Sequence, residues 1–125
     1  MSRLLLLAAA GAAGTLARYG ISGWVRGWAG PGFPWGTLAV NALGCFLFGA
    51  LLTLIREKGS ISEDNATWIM VGFLGAFTTF STFAFESSDF LRHGALGSAM
   101  LNVAVNVVLG MAMFFAGVWV IRAAA

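Results

Sequence analysis

The sequence predicts an all-α, polytopic membrane protein with four transmembrane helices in a single domain, residues 1–125. Of the 125 residues, 59% are hydrophobic and only 10% are charged, and the mean hydropathy is +0.87. Soluble domains carry about 25% charged residues, so this chain cannot cover a water-exposed surface with charge. A soluble enzyme and a disordered protein are therefore excluded. The seven basic residues are scattered singly, which excludes a nucleic-acid partner.

Four uncharged stretches predict where the four membrane-spanning helices lie. Residues 94–121 and 65–85 carry no charge over 28 and 21 positions, and residues 27–55 carry none over 29. The last of these stretches starts with the helix-breaking cluster at 30–34, so its helix begins near Trp35 or Gly36. Residues 4–17 cover about 21 Å and span a bilayer only if the helix continues past Arg18. We predict spans at roughly 3–25, 36–56, 66–90 and 95–122.

The N-terminus also fits a second interpretation. Arg3, four leucines and an Ala/Gly-rich run are typical of a cleaved signal peptide. The same segment runs on without a clear cleavage site into Tyr19 and Ile21, which favours a packed helix whose small residues allow close contact in lipid.

The basic residues are divided almost evenly between the two membrane sides. Four spans put both termini on one side, so four basic residues face three. The first side holds Arg3, Arg56, Lys58 and Arg122, and the second holds Arg18, Arg26 and Arg92. With so small a bias the chain can insert both ways, which makes an antiparallel two-fold dimer possible. The alternative, that a single charge near the first helix decides orientation, stays open.

The third span is rich in helix-unfavourable residues. Gly72 and Gly75 precede the run at 77–83, in which threonine, serine and phenylalanine alternate. This pattern indicates a helix break near 75–78, whose freed carbonyls could coordinate a cation, inside protein or beside a cavity. An unbroken helix, with the hydroxyls bonding back to i−4 carbonyls, explains the same pattern equally well. In either case Phe80 and Phe83 share one face, and Thr82 and Glu86 share a neighbouring one.

Asparagines occur inside two further spans. Thr37 and Asn41 lie four apart on the second helix, while Ser98, Asn102 and Asn106 form a stripe within a sector of roughly 80° on the fourth. Intramembrane polar residues usually face an interior or a water-filled path. The alternative is that these amides only join helices by hydrogen bonds.

The chemical type of these polar residues indicates which kind of ion a pathway through the membrane would carry. The span centres hold no acidic residue, lysine or histidine, and no nucleophile–base pair or metal cluster is present in the sequence. The sequence therefore gives no ground for catalysis. Neutral amide and hydroxyl donors, together with the positive edges of phenylalanine rings, suit a small anion.

Three motifs resemble the Fluc/CrcB fluoride channel family. They are the run at 36–41 followed by Gly44, the run at 72–83, and the glycines at 11 and 14 followed by Arg18. The resemblance covers the whole chain. It implies an antiparallel dual-topology homodimer with two pores, in the lipid of the prokaryotic inner (plasma) membrane. It also implies passive fluoride export from the cytoplasm, which relieves fluoride toxicity.

The resemblance assigns roles to the residues at the third-span break. Phe80 and Phe83 match the aromatic pair that borders fluoride, and Ser81 lies in the same motif. Gly75 and Thr78 match the positions whose backbone carbonyls, from both subunits, hold a structural Na⁺ ion at the dimer centre.

The resemblance also places residues on the other helices. Asn41 matches the pore asparagine, and Arg18 matches a first-helix arginine that raises the anion potential in the vestibule. A polar cluster at one end of the pathway corresponds to Thr37, Thr82 and Glu86. The last span departs from the family pattern. On the polar track of the fluoride pathway, where the family often has tyrosine and serine, this chain has Asn102 and Asn106, whose amides still donate hydrogen bonds to an anion.

Two other functions remain as hypotheses. A small dual-topology, multidrug-type proton-coupled exporter needs a membrane-embedded carboxylate, yet the first acidic residue is Glu57, beyond the second span. A non-transporting assembly subunit would explain the glycines but not the asparagine stripe or the Thr/Phe run.

Overall fold

The computed structural model describes residues 2–124, except for the side chain of Glu63. Three long helices are continuous: α1 (Ser2–Ala29), α2 (Trp35–Arg56) and α6 (Leu96–Ala123). The segment between α2 and α6 is built from shorter pieces. In chain order these are α3 (Glu63–Thr67), a π-helical segment (Trp68–Leu74), α4 (Gly75–Phe77) and α5 (Phe80–Arg92).

Within residues 2–124, four stretches are long and apolar enough to cross a membrane, which confirms the predicted all-α, four-span class. Helix α2 begins at Trp35, directly after the breaker cluster. Helix α1 runs to Ala29, four residues beyond the expected 25, because its first strong stop is Gly30, whose φ of 84° a helix cannot continue.

The backbone of the third segment changes type twice. From Trp68 to Leu74 it is π-helical, and the Gly75 N–H reaches back five residues to the Met70 carbonyl. Gly75 itself is helical, whereas Thr78 (ψ 161°) and Thr79 (φ −149°) are extended. The extended residues are thus Thr78 and Thr79, whereas the sequence pattern indicates a break near 75–78 and leaves an unbroken helix open.

Helices α2 and α6 form the most extensive contact in the chain. Their backbones meet where Gly49 lies against the Phe114 carbonyl and Gly117 lies against the Phe46 carbonyl. A side chain at either glycine would collide with backbone, so the small residues permit this approach.

Only a small apolar core is sealed within the chain. Val40, Leu74 and Phe77 are almost completely buried, with Ile21 and Leu47 packed against them. Many large apolar side chains on all the long helices are exposed. This distribution is expected for a chain surrounded by lipid or by a second copy, because contact with either one, unlike contact with water, does not disfavour apolar side chains.

The two ends of the bundle differ. The terminal end, with both chain termini, has two ion pairs, Arg3–Asp64 at 3.0 Å and Arg122–Glu57. The bidentate hydrogen bond from Arg122 holds the pKa of the Glu57 carboxyl below its usual range. At the opposite, loop end, the Phe33 and Phe90 rings lie 6.3 Å apart and join the α1–α2 loop to the end of α5.

Candidate functional site

Thr79 begins α5 and is the centre of the candidate site. Its side-chain oxygen accepts a hydrogen bond from the Thr82 amide (3.2 Å), which is the usual role of a threonine N-cap. Its hydroxyl donates to Thr82 Oγ1 (2.9 Å). Its amide donates to Asn41 Oδ1 (2.8 Å) rather than to the Gly75 carbonyl one helical turn back. The interruption is thus fixed by groups from α2 and α5.

At this point the side-chain amide of Asn41 forms hydrogen bonds through both its oxygen and its nitrogen. The oxygen accepts from the Thr79 amide, and the nitrogen donates to the Thr79 carbonyl and to Asn106 Oδ1, both at 3.2 Å. An asparagine side chain has two N–H donors. Both are therefore engaged, one with the interrupted backbone and one with α6.

The asparagines of α6 extend these contacts. Asn106 Nδ2 donates to the carbonyl and to Oδ1 of Asn102, each at 3.0 Å. Asn102 Nδ2 donates to Ser87 Oγ (2.9 Å), whose hydroxyl donates to the Phe83 carbonyl (2.8 Å). The stripe on α6 is thereby joined to α2 and to α5.

The structure contains a groove, called here the Asn41 groove, with a volume of about 530 Å³. Asn41, Asn106, Phe80 and Phe83 are among the residues that line it. The two phenylalanine rings lie 5.4 Å apart at 57°, and 78% of Phe80 is exposed. The groove therefore combines neutral amides with aromatic rings, and one of those rings, Phe80, is largely exposed.

A second cavity, the loop-end cleft, has a volume of about 600 Å³. Two arginines (Arg18 and Arg26) and two acidic residues (Glu86 and Asp89) line it. Thr79 lines both this cleft and the Asn41 groove. Both cavities therefore reach Thr79, at the N-terminus of α5.

Glu86 lines the loop-end cleft and is held there by a hydrogen bond. Its Oε1 accepts a hydrogen bond of 2.7 Å from the Thr37 hydroxyl, while Oε2 is buried without a hydrogen-bond partner in the described part of the chain. A buried carboxylate oxygen without a donor is costly. The cleft therefore contains one acceptor that a water molecule or a donor from outside this chain would satisfy.

The carbonyls at the interruption form a different kind of site. The amide of Thr79 is turned to Asn41 and that of Thr82 to the Thr79 side chain, so Gly75 and Thr78 lack these helical donors. Arg18 Nη1 lies 3.5 Å from the Thr78 carbonyl oxygen. Carbonyl oxygens suit a hard cation, but one chain supplies only two here, and a cation would compete with Arg18 for one of them.

The structure brings most of the predicted site residues together and separates a few. Around Thr79 it gathers two groups, one at the Asn41 groove and one at the loop-end cleft. Ser81 is exposed, with its oxygen 3.4 Å from Thr79 Oγ1, so it lies at the margin. Asn102 is completely buried and does not line the groove.

Sequence reasoning missed two residues. Thr79 was seen only as part of the Thr/Phe run, although a threonine directly before a helix start is a signal for an N-cap. Ser87 was not singled out, and its contact with Asn102 gives no signal in the sequence because the two residues lie on different helices.

Comparison with known proteins agrees with the resemblance over nearly the whole chain. A family profile described as "CrcB-like protein, Camphor Resistance (CrcB)" matches residues 5–118. Three similar proteins are each named "Fluoride-specific ion channel FluC". The protein from Nitrosococcus oceani is 47% identical over 92% of both chains. Those from Hydrogenovibrio crunogenus and Thermus thermophilus are 44% and 45% identical over 94% of this chain, and over 89% and 91% of their own.

Proposed function

Because this chain belongs to the CrcB family, whose members are ion channels and not enzymes, we propose that it is a passive, fluoride-selective channel. It is a multi-pass membrane protein, and we place it in the prokaryotic inner membrane. The observation that carries the proposal is the Asn41 groove, which the side-chain amides of Asn41 and Asn106 line together with the rings of Phe80 and Phe83.

Fluoride would enter at the loop-end cleft. The guanidinium groups of Arg18 and Arg26 offer charged donors to an anion there, beside the carboxylates of Glu86 and Asp89. The ion then passes the hydroxyls of Thr79, Ser81 and Thr82 at the start of α5. Hydroxyl donors replace part of the hydration shell that the ion leaves in water.

In the Asn41 groove the ion meets the Asn41 amide and the ring edges of Phe80 and Phe83. Ring edges carry partial positive charge, so they interact favourably with a small anion without holding it tightly. Weak sites in series allow conduction. The path has no coupled reaction, so flux follows the fluoride gradient, and a cell with high internal fluoride exports it and escapes its toxicity.

A second copy of the chain completes the pathway in this proposal. Phe80 projects from the chain with 78% of its surface exposed, so one copy leaves the groove open beside it. The four-to-three division of basic residues permits both orientations. We therefore propose an antiparallel homodimer in which each copy supplies phenylalanines to a pore and the pair forms two pores.

The same dimer would hold a sodium ion at its centre. The Gly75 and Thr78 carbonyls of two copies together offer four oxygens, and carbonyl oxygens suit a hard cation, whereas one copy offers only two. A bound cation would stabilise the contact between the two interrupted segments. Arg18 must then release the Thr78 carbonyl, which its distance of 3.5 Å makes inexpensive.

Proton-coupled drug export is not favoured. Such an exporter trades protons at a carboxylate inside the membrane. The carboxylate available here, Glu86, lies in the loop-end cleft and is bonded to Thr37.

Fluoride efflux from proteoliposomes tests the proposed function. Purified protein in liposomes loaded with fluoride should release it rapidly once valinomycin clamps the potential, while chloride-loaded liposomes release almost nothing. Phe80→Ile and Phe83→Ile should each lower fluoride efflux at least tenfold because the ring edges are lost. The control is Phe115→Ile, which alters an exposed ring that lines neither cavity. Absence of fluoride efflux from folded protein would refute the proposal.

A further inference from the structure

We propose that Asn102 and Ser87 are positioning residues: through a directed hydrogen-bond relay they hold the Asn106 side-chain carbonyl on the same Asn41 N–H that fluoride must take. The inference rests on the proposed function and adds that Asn106 Oδ1 competes with fluoride for an N–H of Asn41. The relay runs from Asn41 through Asn106 and Asn102 to Ser87.

Backbone groups fix the direction of the relay. The Thr79 N–H can only donate and its carbonyl can only accept, which determines how the Asn41 amide is turned. Likewise, the Asn102 backbone carbonyl can only accept from Asn106 Nδ2. The orientation of both amides therefore follows from the chain itself and not from a choice between equivalent flips.

The far end is fixed in the same way. The Ser87 hydroxyl donates its one proton to the Phe83 carbonyl at 2.8 Å. Ser87 must then accept from Asn102 Nδ2, which leaves Asn102 Oδ1 to accept from Asn106. The donor–acceptor direction that Ser87 fixes on α5 thus determines the directions of the Asn102 and Asn106 hydrogen bonds on α6. As a result, Asn106 Oδ1 accepts from Asn41 on α2.

The longest bonds of the relay are those at Asn41. Both of its N–H bonds measure 3.2 Å, whereas those between Asn106, Asn102 and Ser87 measure 2.9–3.0 Å. An anion is a stronger hydrogen-bond acceptor than an amide carbonyl. Of the two acceptors on Asn41, the Thr79 carbonyl is backbone and Asn106 Oδ1 is on a side chain that can rotate, so we expect fluoride in the groove to displace Asn106 Oδ1 and leave the rest of the relay closed.

Asn102 acts in this scheme without touching the ion. Its side chain is completely buried and does not line the groove, while Asn106 does. The resemblance to the family suggested that Asn102 stands on the ion's track. The geometry instead assigns it the task of holding Asn106, so that weakening the hold makes Asn41 easier for fluoride to capture.

Side-chain amide NMR tests the relay directly. The chain contains four asparagines and no glutamine, so ¹⁵N-asparagine labelling gives one NH₂ pair for each of Asn41, Asn65, Asn102 and Asn106. Without fluoride, Ser87→Ala should shift the pairs of Asn102, Asn106 and Asn41, and leave that of Asn65, which lies in α3. The control, Thr53→Val, removes another buried hydroxyl that bonds an i−4 carbonyl and should shift none of the three.

Fluoride titration of the same samples tests the competition. Fluoride should move the Asn41 pair of the wild-type protein, and the midpoint should fall at least threefold in Ser87→Ala because the competing carbonyl is held less firmly. A merely structural role for Ser87 would leave the midpoint unchanged or raise it, and either result overturns the proposal. So does a Ser87→Ala spectrum in which only Asn102 moves.

Two provisions keep the outcomes separate. If Ser87→Ala does not fold, Asn106→Ala removes the competing carbonyl itself, and a raised midpoint in that variant overturns the inference. If the wild-type protein passes no fluoride in liposomes, the proposed function falls. The fluoride-free spectra still decide whether the relay exists.

Discussion

Thr79 connects three helices through one side chain and one peptide unit. Its hydroxyl caps α5, its N–H and carbonyl both bond Asn41 of α2, and Asn41 in turn bonds Asn106 of α6. Because the residue lines both cavities, the cap and the pathway depend on the same atom positions. A substitution at Thr79 that keeps the shape of the side chain and removes its hydroxyl separates the contribution of the cap from that of the backbone contact with Asn41.

We expect Thr79→Val to weaken the start of α5 while leaving the backbone contact with Asn41. Loss of a threonine N-cap costs about 1 kcal/mol, and the Thr82 amide loses its acceptor. Hydrogen exchange at Thr82 should therefore accelerate, and the free energy of unfolding in detergent should fall by about 1 kcal/mol. Thr79→Ser keeps the oxygen and should match the wild type. Equal exchange in the valine and serine variants would contradict the role of the cap.

At the scale of helices, the contact between α2 and α6 depends on two glycines. A Cβ at Gly117 would overlap the Phe46 carbonyl and lie 2.9 Å from the Ala50 amide nitrogen. Both neighbours are backbone atoms of α2 and cannot rotate away. The two helices would have to separate, which also disturbs Asn41 on α2 and Asn106 on α6.

Gly117→Ala should therefore destabilise the fold by about 1–3 kcal/mol, the usual cost of overpacking. The measurement is tryptophan fluorescence during unfolding by increasing mole fractions of sodium dodecyl sulfate. Gly97→Ala, in the same helix with open space around its Cβ position, is the matched control and should be neutral or slightly stabilising. Similar losses in both variants would show that glycine at 117 has no special packing role.

The helices could be predicted from the sequence because their causes are local. Uncharged length and the breaker cluster before Trp35 fix where spans lie. Helix α1 continues to Ala29, beyond the predicted span limit at 25, because neither Arg18 nor Arg26 stops a helix. The π-helical segment before Gly75 could not be predicted, since its i−5 bonds have no distinctive residue pattern.

The site could be predicted only in part, for the same reason. Spacing on one helix correctly grouped Asn102 with Asn106, which now share two hydrogen bonds. Contacts across helices, such as Asn102 with Ser87 or Asn41 with Thr79, depend on how whole helices pack. For that reason the sequence did not show that Asn102 is sealed from the groove.

At the scale of the whole molecule, the distribution of basic residues bears on the proposed dimer. The terminal end and the loop end differ by one basic residue among seven, so a difference of two basic residues in either direction should be enough to bias insertion. Two exposed loop positions suit this test because neither is built into a cavity or has a left-handed backbone: Ser60 near the terminal end and Gly32 at the loop end.

We expect Ser60→Arg, with five basic residues at the terminal end against three, and the triple variant Gly32→Arg/Arg56→Ser/Lys58→Ser, with two against four, to drive the chain into opposite single orientations. Each variant expressed alone should lose most fluoride transport in cells, because an antiparallel pair needs one copy in each orientation. Expression of both together should restore it, since each then supplies the orientation that the other lacks. A C-terminal reporter active on only one side of the membrane measures orientation in the same cells. Full transport by either variant alone, with its reporter showing one orientation, would mean that parallel or single copies conduct, and that the exposed Phe80 does not need an inverted partner.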